Sequence, residues 1–287
     1  MTIRPHGAII HIRLQTHNFK GVFIMKKLTK IISLVSALLI AALCSGCGTN
    51  ANTLIVATNA EFEPFEYLDK SGNATGFDID LIKAVAEKMG YDDVRIDNME
   101  FDGVVAAVEQ GSCDVAVSGL TINEKRKKSV DFSEPYYSGA AQILIVAKDD
   151  THYTGTTKEE LDEQLKNQTI GVCSGFTGQS YAQGDEEWGF KAIEGADVKI
   201  YDNLSNAIDD LKNGTINSII MDNKAAEEAA AQNSDAIKTI DIALTVEQYG
   251  IAVKKGDEEM LKKVNDALKE LEEDGTIDNL LEQYKLK

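Results

Sequence analysis

The sequence is poor in histidine, cysteine, proline and tryptophan, and each shortage closes off a class of function. It has four histidines, and three of them (His6, His11, His17) fall in the first 24 residues. That leaves His152 alone in the rest of the chain. A histidine-based metal centre or a cysteine–histidine nucleophilic site has almost no material to work with. No metal and no cofactor are expected. Of the four cysteines, Cys44 and Cys47 sit in a leader, so only Cys113 and Cys173 remain. They are far apart and in different units of the pattern, and are expected as buried free thiols rather than a disulfide. Three prolines and no repeat or low-complexity segment point to continuous secondary structure. Basic charge is also scarce: 29 Lys and Arg stand against 47 Asp and Glu, a net −18. Such a surface repels nucleic acid and anionic headgroups, so nucleic acid is not an expected partner.

Long apolar runs are missing too. The longest, Ile31 to Leu43, spans 13 residues, short of the roughly 20 a membrane helix needs. It follows Lys26, Lys27 and Lys30 and precedes small residues, the layout of an export signal over 25–46. The stretch 1–24 ahead of Met25 fits neither a signal nor a mature domain and reads as sequence upstream of the true start. "LCSGC" resembles a bacterial lipobox, which implies a diacylglycerol-modified Cys47 and a lipid anchor on the outer face of the cell membrane. Cys44 stands where that pattern prefers Leu. Removing 1–46 discards six basic residues and no acid, leaving 23 against 47.

The mature chain alternates strand and helix signals. After a polar tether at 47–52, "TLIVATN" reads as strand. "FDIDLIKAVAEKMG" reads as helix, with Asp78 as its cap and Gly90 as its stop. "DVRIDNM", "DGVVAAVEQG" and "CDVAVSGL" continue the β-α-β-α-β order of a mostly parallel sheet. A second such series runs from "TKEELDEQLKNQ" to "NKAAEEAAAQ". "DEEMLKKVNDALKELEEDG" follows with a Leu261, Val264, Leu268, Leu271 stripe. Two α/β lobes in series are expected. Ligands in open α/β sheets bind beyond the carboxyl ends of strands. Four unusual loops sit there, "TNAEFEPF", "SGLTINEKR", "SGFTGQ" and "MDN", and would converge on a cleft between the lobes.

These segments resemble the family-3 bacterial extracellular solute-binding proteins, the polar amino-acid receptors of ABC importers. "GFDIDLIKAVAEKMG" matches the family signature. "TNAEFEPFEY", "FDGVVAAV", "SGLTINEKRKKSVDFSEPYY", "YGIAV" and "ALKELEEDGTIDNLLEQY" fall in the family's order, over 53–287. The resemblance implies a two-lobed type II periplasmic-binding-protein fold with two hinge strands. Lobe one would hold 53–139 and 248–287, and lobe two 140–247. It also implies an extracytoplasmic protein whose partners are an amino-acid ligand, an ABC permease and its ATPase.

The resemblance assigns roles as well. Burying an α-amino acid zwitterion requires a cation, an anion and dipoles in fixed places. Arg126, by itself a surface charge in "NEKRKK", matches the family arginine that grips the ligand carboxylate bidentately. Thr121 would add a hydroxyl, and Ser118 and Gly119 a close backbone for the ammonium. Asp222, otherwise a helix cap, matches the aspartate that binds the ammonium. Thr177 and Phe176 lie in the loop whose N–H groups receive the carboxylate, with Phe176 in place of the usual small hydroxylated residue. Phe62 and Phe101, otherwise core, match aromatic walls around the ligand side chain. Asn59 and Glu61 would read its tip. That set favours arginine or lysine, with glutamine next. A cyclohexadienyl-dehydratase-like enzyme on the same fold is the competing class, and it would need a general acid or base in the cleft.

Overall fold

The computed structural model describes residues 52–287; the export signal at 25–46, Cys47 and the stretch ahead of Met25 lie outside the described residues. Within 52–287 the chain forms two α/β lobes, each built on a five-stranded sheet. In the first sheet Thr53–Thr58 runs parallel to Asp93–Asn98 on one side and to Val115–Ala116 on the other. Ala252–Lys254 then pairs antiparallel with both Val115–Ala116 and Val130–Phe132. The second sheet repeats this plan. Thr169–Cys173 is parallel to Asp197–Tyr201 and Ser218–Asp222, and Gln142–Ala147 is antiparallel to Ser218–Asp222 and Ile237–Ile240. Each βαβαβ run thus supplies three parallel strands, and an antiparallel strand from elsewhere in the chain makes each sheet mixed.

The lobes are joined by two crossing strands, Tyr137–Ala140 and Glu247–Tyr249, paired antiparallel. "YGIAV" therefore divides. Tyr249 belongs to the crossing pair, while Ala252 and Val253 enter the first sheet between two strands laid down more than a hundred residues earlier.

Local chemistry sets the helices. Asp257 caps Glu258–Glu273 by accepting from the Met260 N–H at 2.9 Å, and Val264, Ala267, Leu268 and Leu271 turn inward at helical spacing. The helix Phe77–Lys88 differs from the sequence reading. Gly76 stands at its N-cap position without a side-chain cap, and Asp78 is fully buried. The Asp78 carboxylate instead accepts from the Gly119 N–H and the Tyr136 hydroxyl, both at 2.8 Å. A tertiary demand for a buried acceptor has overridden the local capping preference. Cys113 and Cys173 are buried free thiols.

Candidate functional site

The loops at the strand ends meet between the lobes. Nine of the eleven residues singled out above line one small cavity of about 10 Å³: Phe62, Phe101, Ser118, Gly119, Thr121, Arg126, Phe176, Thr177 and Asp222. That volume is about that of a single water, because the facing walls touch. Phe176 fills the middle, its ring 4.3 Å from Phe101 and 5.8 Å from Phe62 between centres. Asn59 and Glu61 are not brought in. The Asn59 side-chain amide donates to the Met99 carbonyl at 2.9 Å. Glu61 is exposed and lines a neighbouring groove of about 500 Å³ with Glu63, Tyr67, Leu204 and Glu228.

Arg126 opens a short turn whose first N–H donates to Asn123 Oδ1 at 2.8 Å. This fixes the direction in which the side chain leaves the loop. The guanidinium donates to the Thr121 carbonyl at 3.0 Å and, across the cleft, to the Gly175 carbonyl at 3.2 Å. Its carbon lies 5.4 Å from the centre of the Phe101 ring and 5.5 Å from that of Trp188. Burial pulls the group down to about 10, against the opposing charges of Glu247 and Asp222. It remains a cation at neutral pH.

The opposite wall is acidic. Asp222 ends the strand Ser218–Asp222 and is 4% exposed. It stands at the N-cap of the helix that follows, but its side chain makes no capping bond; it accepts from the Tyr249 hydroxyl at 2.6 Å. Burial, then the charge of Glu247, push its carboxyl up to about 7. Glu247 was missed by the sequence reading. It sits on a crossing strand at 6% exposure and accepts from Thr121 Oγ1 at 2.6 Å and Thr177 Oγ1 at 2.8 Å. Its other oxygen accepts from Gln142 Nε2 and Thr245 Oγ1. One carboxylate at the hinge thus collects a hydroxyl from each lobe. Its signal was the acid two places before Tyr249 in "EQYGIAV", whose burial depends on a strand crossing invisible to local pattern.

Behind the cavity lies a second buried network. The Ser118 hydroxyl donates to Glu66 at 2.9 Å and accepts from the Asn59 N–H at 3.0 Å, so it faces away from the cavity. Glu66 and Asp78 are both fully buried, each with one carboxyl oxygen that no donor reaches, and two acids so placed favour holding a proton between them. Burial raises Asp78 to about 6 and Glu66 well above its usual range. Gly119 has φ +50°, and a Cβ there would stand 2.6 Å from the Phe62 ring. Only glycine lets that ring lie on the backbone.

The chain is similar to known proteins over most of its length. The Probable histidine-binding protein of Neisseria gonorrhoeae is 34% identical over 274 residues, 91% of this chain and 96% of that protein. The L-cystine-binding protein TcyJ of Escherichia coli K12 is 32% identical, over 81% and 82% of the two chains. Among solved structures, an ancestral arginine-binding protein bound to glutamine superposes with a TM-score of 0.70 at 38% identity, covering 81% of this chain and 97% of the other. The profile of the bacterial extracellular solute-binding proteins, family 3, matches residues 54–287. The chain belongs to that family of amino-acid-binding proteins of ABC transporters.

Proposed function

We propose that the protein binds a polar, basic L-amino acid, arginine or lysine before glutamine, in the cleft between its lobes and hands it to an ABC permease and its ATPase. The observation that carries this reading is the pairing of Arg126 on one wall with Asp222 on the other. Arg126 holds the ligand carboxylate with Thr121 and Thr177 beside it, and Asp222 takes the ammonium. Neither lobe alone neutralises a zwitterion, so binding and closure go together. Phe62 and Phe101 flank the side chain, and Phe176 moves off them as it enters.

Basic ligands are favoured by the rim. Glu61 lies close enough to Glu100 and Asp202 that both raise its carboxyl, after burial, and a cation entering there relieves that repulsion. Glutamine is the second reading, supported by the similar structure that holds glutamine in an arginine-binding fold. Asn59 has its amide engaged with Met99, so in this reading a long side chain reaches past the cavity to Glu61 at the edge of the adjoining groove. The site reads as binding rather than catalytic, because the one acid among the lining residues is committed to Tyr249 and the ammonium. Cys47 carries the lipid anchor in this reading, and a Cys47→Ala variant should be released from the cell.

A thermal-shift screen of the twenty amino acids with ornithine, citrulline and cystine tests the reading. A ligand at about 100 times its Kd adds roughly 2.7 kcal/mol of stability. Glu61→Gln should weaken arginine about tenfold and leave glutamine almost unchanged. A screen won by glutamate or aspartate refutes the basic assignment.

A further inference from the structure

Arg126 is gripped from both lobes, and beside the Gly175 carbonyl the second lobe adds a turn that the ligand reading leaves unused. Residues 185–190 follow the helix Thr177–Gln183 and close on themselves through an Asp185–Phe190 bridge. The turn is anchored in its own lobe, with the Phe190 ring 5.3 Å from that of Tyr181 and 5.9 Å from that of Trp188. From that base it reaches the Arg126 turn at three points. Asp185 pairs with Lys125 at 2.9 Å and Glu187 with Lys128 at 2.5 Å. Between those pairs Trp188 faces the Arg126 guanidinium, whose other neighbouring ring is Phe101 of the first lobe.

We propose that Trp188 is an affinity-determining positioning residue: on closure it stacks on Arg126 from the opposite lobe, so that gripping the ligand carboxylate and shutting the cleft are one event. This rests on the reading of Arg126 as the carboxylate holder. A guanidinium between two aromatic faces is attracted to both and held in plane, and it loses the water that would otherwise compete for its N–H groups. With its fork steered by the Thr121 carbonyl on its own side and, once the lobes meet, by that of Gly175, the side chain is fixed as the ligand's charge is matched to it. That is the condition under which a charge pair is strong. The flanking lysine pairs are partly exposed and worth little singly, but they set the register of the turn over Arg126. Because the clasp forms only when the lobes meet, it acts on escape of the ligand and not on its arrival.

The test uses stopped-flow dissociation of L-arginine, or of L-glutamine if arginine gives no thermal shift, from the mature protein and its Trp188→Ala, Leu, Phe and Tyr variants. Loss of the ring should raise the off-rate and the Kd together by about tenfold in Ala and Leu. Phe and Tyr should stay within threefold of the parent. Leu keeps apolar volume, so a purely structural role would place it with Phe, and that result overturns the proposal. Trp188 is the chain's one tryptophan, so its emission should shift on saturation; a spectrum that stays put while calorimetry records binding also overturns it. Arg126→Ala separates the two readings. If that variant loses the ligand while all four Trp188 variants bind like the parent, the clasp falls and the ligand reading stands. If Arg126→Ala binds normally, or no amino acid shifts the parent, both fall.

Discussion

Between pH 7.5 and pH 5.5 the affinity for L-arginine should fall about 25-fold, because only the ionised form of Asp222 can take the ammonium. In the free protein the Asp222 carboxyl is pushed up to about 7 by burial and by Glu247. With that midpoint roughly three-quarters of the molecules carry the charge at pH 7.5 and about 3% at pH 5.5, and the apparent Kd scales inversely with that fraction. The guanidinium of the ligand does not titrate in this window, and that of Arg126 is pulled down only to about 10. Calorimetry at several pH values, in two buffers of different ionisation enthalpy, measures both the affinity and the protons released. At pH 5.5 binding should release close to one proton, and at pH 7.5 about a quarter of one. Glu247→Gln should move the midpoint downward, since one of the two causes of the rise is gone. An affinity flat from pH 5.5 to 7.5 with no proton release would refute the assignment of Asp222.

Three further outcomes follow from the same geometry. Arg126→Ala should cost about 3–5 kcal/mol of binding, upwards of a hundredfold by calorimetry, because a buried ligand carboxylate loses its cation; a loss under threefold removes Arg126 from the site. Gly175→Ala should weaken binding about tenfold while lowering the unfolding free energy by only about 1–2 kcal/mol. Its Cβ would meet Asp102 Oδ1 of the facing lobe at 2.1 Å, at φ +75°, so the cost falls mainly on closure, and unchanged affinity would contradict this. The free protein should be more stable towards urea at pH 5 than at pH 8. Asp78 and Glu66 are raised by burial, so the stability they contribute is full below about pH 4 and is lost as pH rises through about 6 and beyond. For Asp78 alone the full amount is on the order of 3 kcal/mol, of which about half falls between pH 5 and pH 8. A higher urea midpoint at pH 8 would count against the shared proton.

The sequence carried the elements better than their tertiary duties. Strand and helix runs were legible because apolar spacing and turn residues are local: Leu261, Val264, Leu268 and Leu271 mark one helix face, and Gly90 follows one helix end. Asp78 was misread because an acid in a helix's first turn satisfies capping rules, whereas its partners, Gly119 and Tyr136, are 41 and 58 residues away. Arg126 and Asp222 were legible only through the family motif, since either alone is an ordinary charge. Glu247 showed only as an acid beside "YGIAV", with nothing local to mark its burial, and Trp188 carried no local signal. One is buried by a strand crossing, and the other matters because a turn of one lobe overhangs an arginine of the other. Asn59 was placed near the ligand by position, but the Met99 carbonyl claimed its amide first.

If a zwitterionic amino acid is held by its own carboxylate and ammonium between Arg126 and Asp222, taking away the ligand carboxylate alone should abolish tight binding. Calorimetric titration with L-arginine beside agmatine, which keeps the ammonium, stem and guanidinium but lacks the carboxylate, tests it most directly. Agmatine should bind at least a hundredfold more weakly than arginine, and Arg126→Ala should bind the two alike. Equal affinity of the parent protein for both would contradict it.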